Sequence, residues 1–193
     1  GGRGLAGFFM RPYAQAEPCS PESPLIFMTG PLAGTSAPSS DRFCIMTRSP
    51  LTGTVSPSMA GGTFGREMKR AGWDGIIITG RSENFCGIMI NNNSIEFTEA
   101  EHLRGRTIPA IFNTLPADGG GAAAGPAAEN GVLFSSIGFT GDYSPGRGGL
   151  GLVMHAKGLK FIHVKGSGST PVYNIGDLDS ARGDILRLVS ASP

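Results

Sequence analysis

Two glycine-rich loops hold the residues of this chain best suited to chemistry. One is SPLTGTVSPSMAGG, ending at Gly61 and Gly62, and the other is GFTGDYSPGRGG, running through Gly146, Arg147 and Gly148. Each is read as lying between a strand and a short helix, with a second strand beyond. A helix N-terminus presents unpaired N–H groups and partial positive charge, and glycines just before it let an anion approach the backbone closely. Two such units in one domain point to two bound anionic groups, or to one elongated ligand held at both ends. The competing reading is two tight connections with no ligand, and for a single glycine loop it is the stronger one. Arg147, inside the second loop, has no long apolar neighbour to cover. Arg42 follows a Ser-Ser-Asp turn, where it could pair locally with Asp41.

GRGGLG at Gly146–Gly151 formally matches G-x-G-x-x-G. A dinucleotide fingerprint requires a strand ending almost directly before it and an acid about 20 residues beyond. The region near residue 170 has no acid, so dinucleotide binding is set aside. His102, His155 and His163 are scattered, and the latter two read as structural. Glu129, in GPAAEN, reads as a surface or turn-capping carboxylate. Cys19, Cys44 and Cys86 lie 25 and 42 residues apart, without zinc or iron–sulfur spacing. So sparse and odd a set fits a reducing cytoplasm better than a disulfide framework.

The elements that must position these loops follow from pattern. Leu25–Met28, Phe43–Thr47, Ile76–Thr79, Val132–Ile137 and Phe161–Lys165 read as strands. Phe85–Ile90 and Ser94–Thr98 form a hairpin around Asn91–Asn93, because asparagine tolerates positive φ. Helices fit Phe64–Ala71, closed by Gly72, and Leu150–Lys157, closed by Gly158, with a helical turn at Pro109–Leu115. Leu178–Val189 is an amphipathic helix after the linker-like GSGSTPVYN. The opening GGRGLAG enters on a glycine turn.

With 193 residues, 39% hydrophobic, the chain is long enough for a real core, and with a net charge of +1 it advertises no nucleic-acid surface. No apolar run approaches a membrane span. The 31 glycines are about twice the average usage. The phrase GPLAGTSAPSS from Gly30 returns as SPLTGTVSPSM from Ser49, sharing Pro, Leu, Gly, Thr, Pro and Ser at identical offsets.

GPLAGTSAPSSDRF, SPLTGTVSPSMAGGTFGREMKRAGWDGIIITG, GPAAEN and GRGGLGLVMHAKGLKFIHVKG, in this order, resemble the N-terminal domain of tungsten-containing aldehyde ferredoxin oxidoreductases. The resemblance covers nearly everything from Gly1 to Gly166 and implies an α+β domain. Its fold would be β-rich, with two sheets related by a pseudo-twofold and short helices opened by glycine loops. It would form the base for a tungsten bis-pterin, with molybdenum as the alternative metal, whose two phosphates are joined through magnesium. The repeated PLxGTxxPS phrase would supply turns around that base. Metal ligation would come from the pterin dithiolenes, the protein contributing position and electrostatics.

Carried over by position, Arg42 matches the family arginine between pterin and iron–sulfur cluster. Met59, Gly61 and Gly62 match the first cradle, and Ser144, Pro145, Gly146, Arg147 and Gly148 the second. The backbone carbonyls of Met59 and Pro145 would serve magnesium. Two departures stand out. Met59 replaces the usual asparagine, and Tyr143, Ser144 and Pro145 replace Arg-Ala-Ala, which leaves no cation at residue 143 to pair a phosphate.

The resemblance implies oxidation of a small aldehyde to a carboxylic acid, with electrons passing through a [4Fe–4S] cluster to ferredoxin. The cluster would be carried by the remaining domains and not by this chain. Residues 1–166 would form the cofactor domain, 167–176 a linker, and 177–193 the first helix of a following domain, so the chain reads as a catalytically incomplete fragment. The alternative is a stand-alone pterin-binding or scaffold subunit. A glycine-rich surface left open to cofactor and partner domains also invites self-association into a homo-oligomer.

Overall fold

The computed structural model describes residues 1–191. Two sheets face each other with helices between them and outside them. The first sheet has the order β3-β2-β1-β4, all antiparallel, from β1 (Leu25–Thr29), β2 (Phe43–Arg48), β3 (Val55–Ala60) and β4 (Gly75–Ile78). The second has the order β6-β5-β9-β7-β8, from β5 (Cys86–Asn91), β6 (Ser94–Glu99), β7 (Gly120–Ala124), β8 (Ile137–Phe139) and β9 (Leu159–Lys165). Only β5 and β9 pair in parallel.

Alternation within β1 sets the layering. Leu25 and Phe27 point to the central core, where α2 (Thr63–Arg70) and α5 (Leu150–Ala156) lie between the sheets. Ile26 and Met28 point the other way, with Cys44 and Met46, onto Ala6 and Met10 of α1 (Gly2–Met10). A strand buried on both faces has no polar side, which explains its continuous apolar run. On the far side of the second sheet, Ala123 and Phe161 pack with Phe85, Leu103 and Ile111, the last from α3 (Ile108–Phe112). Phe27, Phe43, Phe64 and Phe139 interlock at the centre, with ring centroids 4.9–6.4 Å apart. That cluster takes rings from both sheets and from α2, so it fixes the layers to one another.

The two halves repeat one topology. β1 lies between β2 and β4, and α2 precedes β4; β7 lies between β8 and β9, and α5 precedes β9. All four pairings are antiparallel. Both helices follow a glycine pair and are capped by a glycine of positive φ, Gly62 at 88° and Gly149 at 66°.

The structure departs from the sequence reading at four places. The strand expected at Val132–Ile137 is Ile137–Phe139; the chain before it turns after the short α4 (Pro126–Glu129). Gly120–Ala124 is a fully buried strand although it has no β-branched or aromatic residue. Its composition answers to close packing, since a Cβ on Gly120 would lie 2.5 Å from the Phe64 Cα. The opening glycines form α1, not a turn. Finally, the repeated phrase is not structurally repeated. Its first copy stays irregular, whereas Val55–Met59 of the second enters β3, with Pro57 on an edge strand where a missing N–H is tolerated.

The Asn91–Asn93 hairpin forms as expected, with Asn92 at φ 51°. α6 (Ile175–Ser190) is capped by Asn174, whose side chain accepts the Asp177 N–H at 3.2 Å, and it buries none of its residues.

Candidate functional site

A cleft of about 870 Å³ opens where β3 runs into α2. Arg42, Met59, Gly61, Gly62 and Ser144 line it, so five of the nine expected site residues converge here. Thr63, Arg66, Gly119, Thr140, Gly141 and Tyr143 also line it, and these the sequence reading did not single out as site residues. Arg66 had a signal, as the cation in the first turn after the glycine pair. Tyr143 was marked inside the second loop as the residue standing where the family has arginine, but nothing in the sequence placed its ring over the first loop.

The floor is built from backbone. Gly62 at φ 88° caps α2, a conformation that would strain any other residue. A Cβ there would lie 2.6 Å from Cδ2 of Tyr143, and one on Gly61 would lie 3.2 Å from Cε1 of the same ring. The two glycines thus form a shelf on which the Tyr143 ring rests. The Tyr143 carbonyl accepts the Phe139 N–H at 2.8 Å, which anchors the loop at this residue, while the ring is half exposed. Thr63 Oγ1 reaches the Gly119 carbonyl at 3.3 Å and Thr140 Oγ1 at 3.2 Å, tying the start of α2 to the second sheet.

Arg42 does not engage Asp41 in an ion pair. Asp41 Oδ1 instead accepts the Gly34 N–H at 2.8 Å, and the Arg42 guanidinium is exposed at the cleft. Arg66 has only a loose pairing to Glu67, at 3.6 Å. Two weakly engaged guanidinium groups beside the start of an eight-residue helix make this end of the cleft anion-attracting.

The second loop differs. Pro145, Gly146, Arg147 and Gly148 are not on the lining of this cleft. The Pro145 carbonyl accepts from Ser136 Oγ and from the Arg147 N–H, each at 2.9 Å, and Ser144 Oγ lies 2.7 Å from Ser136 Oγ. Gly148 is favoured by its φ of 86°, and Gly149 by packing, since a Cβ there would lie 2.1 Å from the Leu133 carbonyl. The Arg147 side chain is exposed, with no ion pair or hydrogen bond among the described residues.

Two expectations outside the cleft resolve differently. His163 is buried and structural, its Nε2 2.9 Å from the Asp118 carbonyl. Glu129 is no surface group, but it does cap a turn. It pairs with the buried Lys160 at 2.5 Å and accepts the Gly105 N–H at 2.9 Å. Burial works to raise its pKa, but the Lys160 hydrogen bond, the Gly105 N–H and the Lys160 charge together hold it below the usual value. Among the described residues, no three His, Cys, Asp or Glu side chains gather as a metal site, and no helix is long and apolar enough to cross a membrane.

Residues 1–166 match the family described as aldehyde ferredoxin oxidoreductase, N-terminal domain. The chain is 40% identical over 179 residues to the tungsten-containing aldehyde ferredoxin oxidoreductase of Pyrococcus furiosus, covering 89% of this chain and 30% of that protein. It is 43% identical over 155 residues to the corresponding Pyrococcus horikoshii protein, covering 78% and 26% respectively. Among solved structures, it superposes with a TM-score of 0.89 and 34% identity on a chain of the active-site complex BamBC of benzoyl coenzyme A reductase with 1,5-dienoyl-CoA, covering 98% of this chain and 30% of that one. The chain therefore spans less than a third of the length of the relatives it matches.

Proposed function

The chain belongs to the aldehyde ferredoxin oxidoreductase family, matching its N-terminal domain, and from that premise we propose that it is the cofactor-bearing base of an aldehyde:ferredoxin oxidoreductase. The supporting observation is the cleft in which Arg42, Arg66, the Gly61–Gly62 shelf and the start of α2 converge. Its volume and its cations fit a phosphorylated, ring-containing group such as a tungsten bis-pterin. When bound, that cofactor would supply the two-electron chemistry of aldehyde oxidation, with a [4Fe–4S] cluster on other domains and ferredoxin as the onward acceptors.

The chain's own residues bind and orient. Arg42 and Arg66 attract and neutralise anionic groups, and the first N–H groups of α2 donate to them. Gly61 and Gly62 let a ring approach the backbone, a place the Tyr143 ring now takes; Tyr143 swings aside or stacks on the incoming group. Arg147 supplies an exposed cation for a second phosphate beside α5. For magnesium, the Met59 carbonyl belongs to a cleft-lining residue. The Pro145 carbonyl already accepts two hydrogen bonds, so a metal there would replace one. The division into 1–166, a linker at 167–176 and a following domain from 177 draws on α6, most of whose apolar side chains are exposed, although the helix begins at Ile175, within that linker.

The experiment is metal analysis of the full-length gene product. A charged hydrogen bond contributes roughly 1.5–3 kcal/mol, so Arg42→Ala, Arg66→Ala and Arg147→Ala should each weaken cofactor retention by about one to two orders of magnitude. Melting temperatures should stay unchanged. Full tungsten content in all three variants overturns the proposal.

A further inference from the structure

Lys157, at the C-terminal cap of α5, is 4% exposed, yet no carboxylate of the described residues lies within ion-pair distance of its amine. Its Nζ reaches only the Pro21 carbonyl at 3.4 Å and the Gly80 carbonyl at 3.5 Å, the outer limit of hydrogen bonding. Three residues along, Lys160 shows the ordinary arrangement, with a carbonyl at 2.9 Å and the Glu129 carboxylate at 2.5 Å. Buried charges are normally paired, because an unpaired one forfeits hydration with no compensation. Among the described residues, Lys157 has no anion beside it.

Beside it is a cavity of about 440 Å³, well separated in sequence from the Gly61–Gly62 shelf and within the usual range for small-molecule sites. Its walls are mainly apolar, from Ile78, Ile88, Phe97 and Leu159, and Lys157 and Arg81 provide its cations. The Arg81 guanidinium donates to the Ala156 carbonyl at 2.6 Å and the Cys19 carbonyl at 3.0 Å, so carbonyls hold it in place without cancelling its charge. A largely apolar pocket whose lining includes two cations is complementary to an anion carrying a hydrocarbon tail.

We propose that this cavity binds a small monocarboxylate, its tail among Ile78, Ile88 and Leu159 and its carboxylate on Lys157. The other groups that bear on the amine do not replace such a ligand. Burial raises the Cys19 thiol, outweighing Lys157 and Arg81, so it stays neutral at neutral pH. Glu22 acts on Lys157 only through space and is fully exposed. Burial pushes Lys157 itself down to about 8, so the amine is charged at neutral pH and loses its proton in mild alkali. The site is independent of the reading given to the Arg42 cleft.

The probes are benzoate and butyrate, with benzamide and butyramide as neutral isosteres, followed by calorimetry and amide chemical shifts of this chain. Saturable binding of the acids at pH 7, with shifts at Gly80, Lys157 and Gly158, is expected, and more than about tenfold weaker binding of the amides. Lys157→Met should lower acid affinity by a similar factor, and Lys157→Arg should retain most of it. Binding should also fall between pH 7 and pH 9.5 as the amine deprotonates; this measurement on the unmodified protein stands even if Lys157→Met fails to fold. No saturable shift at these residues, equal binding of acid and amide, or unchanged affinity in a folded Lys157→Met protein would overturn the proposal.

Discussion

The Tyr143 ring lies over Gly62 so closely that a Cβ on residue 62 would sit 2.6 Å from the ring. Gly62 is therefore constrained twice, by its φ of 88° and by the ring above it. Gly62→Ala is expected to cost about 1–3 kcal/mol from the strain of a positive-φ, extended backbone that essentially only glycine adopts, together with overpacking. Adding Tyr143→Ala should recover the steric part and leave the backbone part. Urea unfolding of the two single variants and the double variant gives the coupling; strict additivity would mean that the ring does not rest on the shelf.

Glu129 and Lys160 form a buried pair whose members share little solvent. Glu129→Leu should destabilise the fold by about 3–5 kcal/mol, because it strands the lysine charge. Glu129→Leu with Lys160→Met should cost less than the first change alone. The Glu129 pKa is depressed in the folded state, so its contribution is complete above the unfolded carboxylate value. It is lost as pH falls through the folded value. Unfolding followed from pH 7 to pH 2 should therefore show a steeper loss of stability than in the double variant, which keeps only the contributions of carboxylates such as Glu101 and Asp118.

How much of this was legible depended on what each segment answers to. β1, β2, β9 and the β5–β6 hairpin were visible because apolar runs and the Asn91–Asn93 turn are local signals. The glycine pairs before α2 and α5 were visible for the same reason, and the first of them lines the cleft whereas the second does not. β7 was not, because Gly120–Ala124 is selected by what lies against it. Gly120→Ala is expected to cost about 3 kcal/mol, near the upper end for overpacking, because the added Cβ meets backbone that has no freedom to move aside. A cost below about 0.5 kcal/mol in thermal or urea unfolding would contradict so close an approach of α2 and β7. The resting place of the Tyr143 ring and the contrast between Lys157 and Lys160 were also beyond sequence reading. Both depend on residues distant in the chain: Gly61 and Gly62 for the ring, Glu129 for one lysine and no carboxylate for the other.

The unpaired Lys157 also sets a pH dependence of stability. Its folded pKa of about 8 lies below the ordinary lysine value of 10.5, so the folded state binds its proton less readily than the unfolded state. Stability should consequently rise as pH increases from about 8 towards 10.5, and the full penalty of the charged amine is present below about 8. Lys157→Met removes that penalty while keeping a side chain of similar length. At pH 6.5 the variant should be more stable than the parent by about 1–3 kcal/mol, reduced by whatever the two long carbonyl contacts contribute. The advantage should shrink steadily as pH rises to 9.5. Urea unfolding of both proteins across this range, without added carboxylate, is the measurement. A parent protein more stable than Lys157→Met at pH 6.5, with no difference in pH slope, would mean that the amine already has its counter-ion within the chain.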